Sequence, residues 1–202
     1  MPSAGAALDR LCDPAAKVSA HYLIDEDGSV FALVPEPARA WHAGVSAWLG
    51  EAGLNDRSIG IELVNPGHEW GYRPFPEPQY QACSALCQEI VRRWSIPARR
   101  VLAHSDVAPE RKQDPGELFD WPRLAAAGVG LWPTGGGGAP RPVATLQAQL
   151  AGFGYAVPCH GRLDAPTRSV ITAFQRHFRP ARVDGVADQA TLACLDGLLA
   201  LL

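Results

Sequence analysis

Residues 58–64, SIGIELV, alternate in a way that organises everything around them. Ile59, Ile61 and Leu63 fall on one face of an extended chain and Glu62 on the other, so the segment reads as a buried strand. A carboxylate inside such an apolar run is rare unless it is paired or functional. Glu62 is therefore a candidate for chemistry, with a salt-bridged strand glutamate as the plain alternative. Upstream, residues 18–24 read as a strand, 25–28 as a hairpin-type turn and 30–34 as the returning strand. A short helix over 5–11 precedes them, ended by Asp13–Pro14. Downstream, Leu86, Ile90 and Trp94 repeat at helical spacing and predict a helix over 80–94. Irregular segments are expected over 41–53, rich in tryptophan and glycine, and over 66–78, rich in proline.

Residues 101–103 read as a short strand that delivers His104 at its end. The loop that follows, HSDVAPERKQDPG from His104 to Gly116, places a histidine, a lysine and an aspartate in one proline-interrupted stretch. Imidazole and carboxylate together suit Zn²⁺, and Lys112, two residues before Asp114, can sit over the same centre. With Glu62 on its strand, these pieces describe a hydrolytic metal site. Residues 121–127 close this half as a short helix stopping at Gly128.

Composition narrows the classes. The chain has 202 residues, 47% hydrophobic and 19% charged, with a formal net charge of −3. That is a globular composition, and the charge balance gives no support to a nucleic-acid partner. No stretch approaches the apolar length of a membrane span. The five cysteines are an odd number without metal-type pairs; Cys83 and Cys87, one helical turn apart, read as packing residues. The first residues lack a secretory signal, which points to the cytoplasm, whereas a natural start further upstream would point to the periplasm or outer membrane.

At Pro133 the composition shifts to TGGGGAPRP, expected as a flexible linker over 133–142. Beyond it lie a helix over 145–151, a second that Asp164 opens and that carries Val170, Phe174 and Phe178, and a third over 188–201 with Leu192, Leu195 and Leu199 on its apolar side. Three short helices make a small all-α module of marginal size. It carries no cluster of nucleophile, base and metal ligand, so binding is its expected role.

Taken in order, VSAHYLIDEDG, LVPEPARAWHAG, LNDRSIGIELVN, HSDVAPERKQDPG and LFDWPRLAAAGVGLWP resemble the type-2 N-acetylmuramoyl-L-alanine amidases, zinc enzymes related to peptidoglycan-recognition proteins. LQAQLAGFGY, TRSVITAFQRHFRP and DGVADQATLACL resemble three-helix peptidoglycan-binding modules. The resemblance implies an α/β fold, a mixed sheet flanked by helices, with a second, small all-α three-helix domain. It implies an amidase domain over 1–132 and a peptidoglycan-binding domain over 143–202. By the same resemblance His104 and Asp114 are zinc ligands, Glu62 is the general base and Lys112 stabilises the oxyanion. Trp41, His42 and Ala43 lie in the substrate-groove loop, with Asn55 nearby in sequence. Arg111 contacts a peptide carboxylate or merely pairs with Glu110 or Asp106. Asp106 is expected as a loop-fixing acceptor, and His21 as a histidine hydrogen-bonded to backbone. Trp94 and Trp132 are expected in packing roles.

The implied function is hydrolysis of the amide between N-acetylmuramic acid and L-alanine in peptidoglycan or its muropeptides, with the small module holding the enzyme near the polymer. The family's first strand and first zinc histidine would precede Met1, so the domain is expected to be N-terminally incomplete. A two-ligand site would hold zinc weakly. Two rivals follow, a non-catalytic peptidoglycan-binding protein with an incomplete zinc site and a folding-defective fragment.

Overall fold

Strand β1 (Tyr22–Ile24) is the middle of a three-stranded mixed sheet, ordered β2-β1-β5. It pairs antiparallel with β2 (Val30–Ala32), setting Leu23 opposite Phe31, and parallel with β5 (Ile61–Leu63), setting Leu23 opposite Glu62. The computed structural model describes residues 3–202, which fall into two units, residues 3–46 with 53–95 and residues 47–52 with 96–202. The first unit holds this sheet, α1 (Ala4–Cys12) and α2 (Glu77–Trp94). Ala7 and Leu11 of α1 bury against Ala20, Leu23 and Val64. Buried Gln79 of α2 donates from Nε2 to the carbonyls of Ile24 and Val64, 3.0 Å each, stitching the ends of β1 and β5 together.

The strands are shorter than the sequence predicts. The N–H groups of Ser19 and His21 donate to Trp41 and Gly60, and those of Leu33 and Val34 to His21, so residues flanking β1 and β2 leave the regular ladder. Residues 61–63 are half-buried rather than buried on one face. Trp94, expected in the core, is 47% exposed, because its indole N–H reaches out to the carboxylate of Glu36.

Glu36 is a hub that no local pattern announces. Its nearly buried carboxylate accepts the Tyr22 hydroxyl at 2.7 Å, the Arg93 guanidinium and the Trp94 indole. Burial pushes its carboxyl up, but the Trp94, Arg93 and Tyr22 hydrogen bonds prevail and hold it below the usual carboxylate value. A depressed folded-state value contributes stability at pH above the unfolded carboxylate range, about 4.3, which is lost as pH falls through the folded value. Glu36→Gln is therefore expected to lower Tm by about 2–4 °C at pH 7, with the gap to wild type closing below about pH 4. Thermal melts of both proteins at several pH values check this, and a gap that widens on acidification would contradict it.

The second unit contains α3 (His104–Val107), α4 (Trp121–Ala126), and a bundle of α5 (Val143–Phe153), α6 (Ala165–Phe178) and α7 (Gln189–Leu199). Asp164 and Asp188 cap α6 and α7, each accepting a backbone N–H at 3.0 Å, from Thr167 and Thr191. Leu150, Phe153, Val170, Phe174, Leu195 and Leu198 form its core. Leu198, rather than the half-buried Leu199, completes the apolar side of α7.

A two-residue hairpin, β3 (Ala47–Trp48) with β4 (Glu51–Ala52), also belongs to this unit, where only an irregular loop is expected from sequence. Trp48 is buried against Phe153 and Tyr155, and the Leu49 N–H donates to the Gly154 carbonyl at 2.8 Å. Residues 101–103 do not form the expected strand. The Ala103 N–H is taken by the carboxylate of Asp106 at 2.8 Å and the Val101 N–H by Ala98, so neither enters a ladder.

The glycine-rich stretch is no free tether. It lies along α7, where the Gly138 N–H donates to Asp196 at 2.9 Å and Arg141 pairs with the same carboxylate through two bonds. A Cβ on Gly136 or Gly138 would meet helix carbonyl oxygens at 2.1 and 2.4 Å, so only glycine permits this approach. Among the described residues no helix is long and apolar enough to cross a membrane.

Candidate active site

In the first unit, β5 carries Glu62 between Ile61 and Leu63, half-buried and in register with Leu23. The loop Trp41–Ala43 is shaped by Asn55, a buried residue of the 3₁₀ turn Leu54–Asp56. Its side-chain carbonyl accepts the His42 N–H at 3.1 Å and the Ala43 N–H at 2.8 Å. The Ser58 hydroxyl donates to the Leu54 carbonyl at 2.6 Å and therefore accepts from His42 Nε2, 3.2 Å away. The His42 ring rests on Gly60, where a Cβ would stand 2.3 Å from it.

Behind it lies His21, fully buried, with ring centroids 5.7 Å apart. Its Nδ1 accepts the Gly60 N–H at 3.0 Å, so Nε2 donates to the Ala38 carbonyl at 3.0 Å. Both nitrogens are bound to backbone, which leaves His21 no donor for a metal. Trp41 is half-exposed, with the Arg39 guanidinium 3.8 Å above its ring. It lines a cleft of about 490 Å³ with Leu11, Lys17 and Ser19.

In the second unit, His104 opens α3 and Asp114 ends the loop that follows. His104 Nδ1 lies 2.9 Å from Asp114 Oδ2, and the Ser105 N–H donates to the Asp114 carbonyl at 3.1 Å, so the loop is pinched shut at its ends. Burial pushes the Asp114 carboxyl up, but the hydrogen bond and charge of His104, with the charge of Lys112, bring it below the ordinary value. Arg111 and Lys112 line a cleft of about 420 Å³ together with Arg168, Thr172 and Arg176 of α6.

The chemistry of this donor pair fits zinc. His104 Nδ1 and Asp114 Oδ2, 2.9 Å apart, would hold the ion, imidazole and carboxylate being ordinary zinc donors. Among the described residues, no group of three or more His, Cys, Asp or Glu side chains is arranged to hold a metal ion. The structure thus brings together His104, Asp114 and the charge of Lys112 in one unit, and Trp41, His42, Ala43 and Asn55 in the other. Sequence reading passes over Gly60 and Ser58, which seat the His42 ring. A glycine inside an apolar strand is the available signal, since it marks a close approach.

Comparison with known proteins agrees with this architecture. Residues 1–117 match the family model of N-acetylmuramoyl-L-alanine amidase, and residues 141–195 match that of the peptidoglycan binding domain. The chain belongs to the N-acetylmuramoyl-L-alanine amidase family. It is 42% identical over 205 residues to the amidase AmiD of Escherichia coli, covering 91% of this chain and 74% of that protein. The 1,6-anhydro-N-acetylmuramyl-L-alanine amidase AmpD of Enterobacter cloacae is 45% identical over 109 residues, 54% of this chain and 56% of that protein. Among solved structures, E. coli AmiD in complex with anhydro-N-acetylmuramic acid-L-Ala-D-gamma-Glu-L-Lys superposes with a TM-score of 0.87 at 39% identity, covering 98% of this chain and 84% of that one. AmpDh3 of Pseudomonas aeruginosa gives 0.90 at 34% identity, covering 98% and 87%.

Proposed function

We propose that the chain hydrolyses the amide joining N-acetylmuramic acid to L-alanine in anhydro-muropeptides and peptidoglycan, with zinc held by His104 and Asp114. The observation that carries this reading is the 2.9 Å pairing of His104 with Asp114 within a loop that also bears Lys112. When bound, zinc supplies Lewis acidity and a lowered pKa for a water molecule. Glu62 takes the proton of the attacking water and passes it to the departing amine. Support for this role comes from a half-buried carboxylate flanked by apolar strand residues. Lys112 stabilises the negative charge that develops on the carbonyl oxygen. Trp41 offers an exposed ring to sugar or peptide, Asn55 holds the His42–Ala43 backbone in place, and His42 and Ala43 are assigned to the substrate loop. Arg111 faces a stem-peptide carboxylate. Residues 1–132 form the amidase domain, and residues 143–202, joined through 133–142, hold polymer near it.

The test incubates the zinc-supplemented chain with anhydro-N-acetylmuramoyl-L-Ala-D-γ-Glu-L-Lys and reads release of free peptide by mass spectrometry. Release of the peptide supports the reading, and an intact substrate overturns it. A second reading, binding without hydrolysis, is favoured by the lack of a three-residue metal group among the described residues. It predicts sedimentation with sacculi but no cleavage. If His104 and Asp114 hold the metal, Asp114→Ala is expected to weaken zinc binding roughly 100-fold or more by competition titration. Equal affinities for the two proteins would remove Asp114 from the site.

A further inference from the structure

The carboxylate of Asp106 is completely buried and accepts three hydrogen bonds. Oδ2 accepts the Ala103 N–H at 2.8 Å and His177 Nδ1 at 2.6 Å, while Oδ1 accepts the Tyr155 hydroxyl at 2.6 Å. Tyr155 follows α5 and His177 belongs to α6, so two of the three donors come from the helical bundle. The His177 ring is sandwiched between Trp121 and Phe178, with centroids 3.7 and 3.8 Å away, and Tyr155 packs edge-on against Trp48. Both donors are thus fixed by packing before they reach Asp106. A buried carboxylate needs such donors, and losing one leaves an acceptor without compensation. Asp106 in turn fixes the first turn of α3, whose opening residue is His104.

From this network we infer that Tyr155 and His177 are positioning residues for the metal loop. The bundle does more than hold polymer, because it sets the backbone turn from which His104 is presented. The inference rests on the proposed role of His104 only for its catalytic consequence. The network itself is testable in the metal-free chain.

Tyr155→Phe removes one donor and keeps the ring, and His177→Leu removes the other. His177→Asn retains an N–H close to the Nδ1 position and serves as the rescue. Amide exchange at Ala103 and Ser105 is expected to accelerate at least tenfold in Tyr155→Phe and His177→Leu, and to return toward wild type in His177→Asn. Exchange in α7 should stay unchanged, and so should sedimentation with sacculi. Zinc affinity should fall about tenfold, as for other residues that orient a ligand, and kcat should fall with KM held. Unchanged exchange at Ala103 and Ser105, or an acceleration shared equally by α7, would overturn the inference. A chain whose exchange responds as expected but which releases no peptide would leave the positioning intact and sink the hydrolase reading instead.

Discussion

Glu62→Gln is expected to reduce peptide release from anhydro-muropeptide by about 10²–10⁴-fold, the usual contribution of a positioned general base. The amide is nearly isosteric with the carboxylate, so β5 keeps its register with β1 and Tm should move little. The negative charge and the capacity to accept and return a proton are removed. Zinc affinity, measured alongside, should stay within a few-fold of wild type, since Glu62 is not assigned as a ligand. Turnover within twofold of wild type would take the base role away from Glu62. A large fall in Tm would instead mark it as the salt-bridged strand glutamate that the sequence alone leaves open.

Phe174→Ala carries the largest expected cost in stability. Phe174 is fully buried and packs against Tyr155 and Phe178, with ring centroids 6.2 and 5.1 Å away. Such a truncation costs about 3–5 kcal/mol through lost transfer energy and the cavity left behind. A module of roughly 60 residues has little stability in reserve, so the bundle should unfold well below the wild-type temperature. Sedimentation with sacculi should be lost, and Asp106 should lose its Tyr155 and His177 partners in the same transition. Hydrogen exchange following the bundle and α3 together would show this coupling. A bundle that melts while α3 keeps its protection would separate the two.

Much of the fold was legible because its signals are local. The Asp164 and Asp188 caps, the leucine and phenylalanine spacing of the last helices and the periodicity of α2 each depend on neighbours within a few residues. Strand lengths were not legible, since the donors of Ser19 and His21 are diverted to Trp41 and Gly60, which lie far along the chain. The β3–β4 hairpin escaped for another reason. Its turn uses Leu49 and Gly50, both at positive φ, and leucine is not a residue that announces such a turn. The meeting of His104 with Asp114 follows from the shortness of their loop. Asp106 shows the limit: a loop-fixing acceptor is readable from its position, but its partners lie 49 and 71 residues away.

The glycines that precede the bundle bear on how the module could be moved to another protein. With Gly136 and Gly138 pressed on α7 and Arg141 clasping Asp196, that segment caps one side of the last helix. A transplant cut at the start of α5 would strip this cover and leave Asp196 without its arginine. The portable piece therefore begins near Pro133, and a serine-rich spacer of equal length would be a poor substitute, because side chains at positions 136 and 138 would prise the ribbon off the helix.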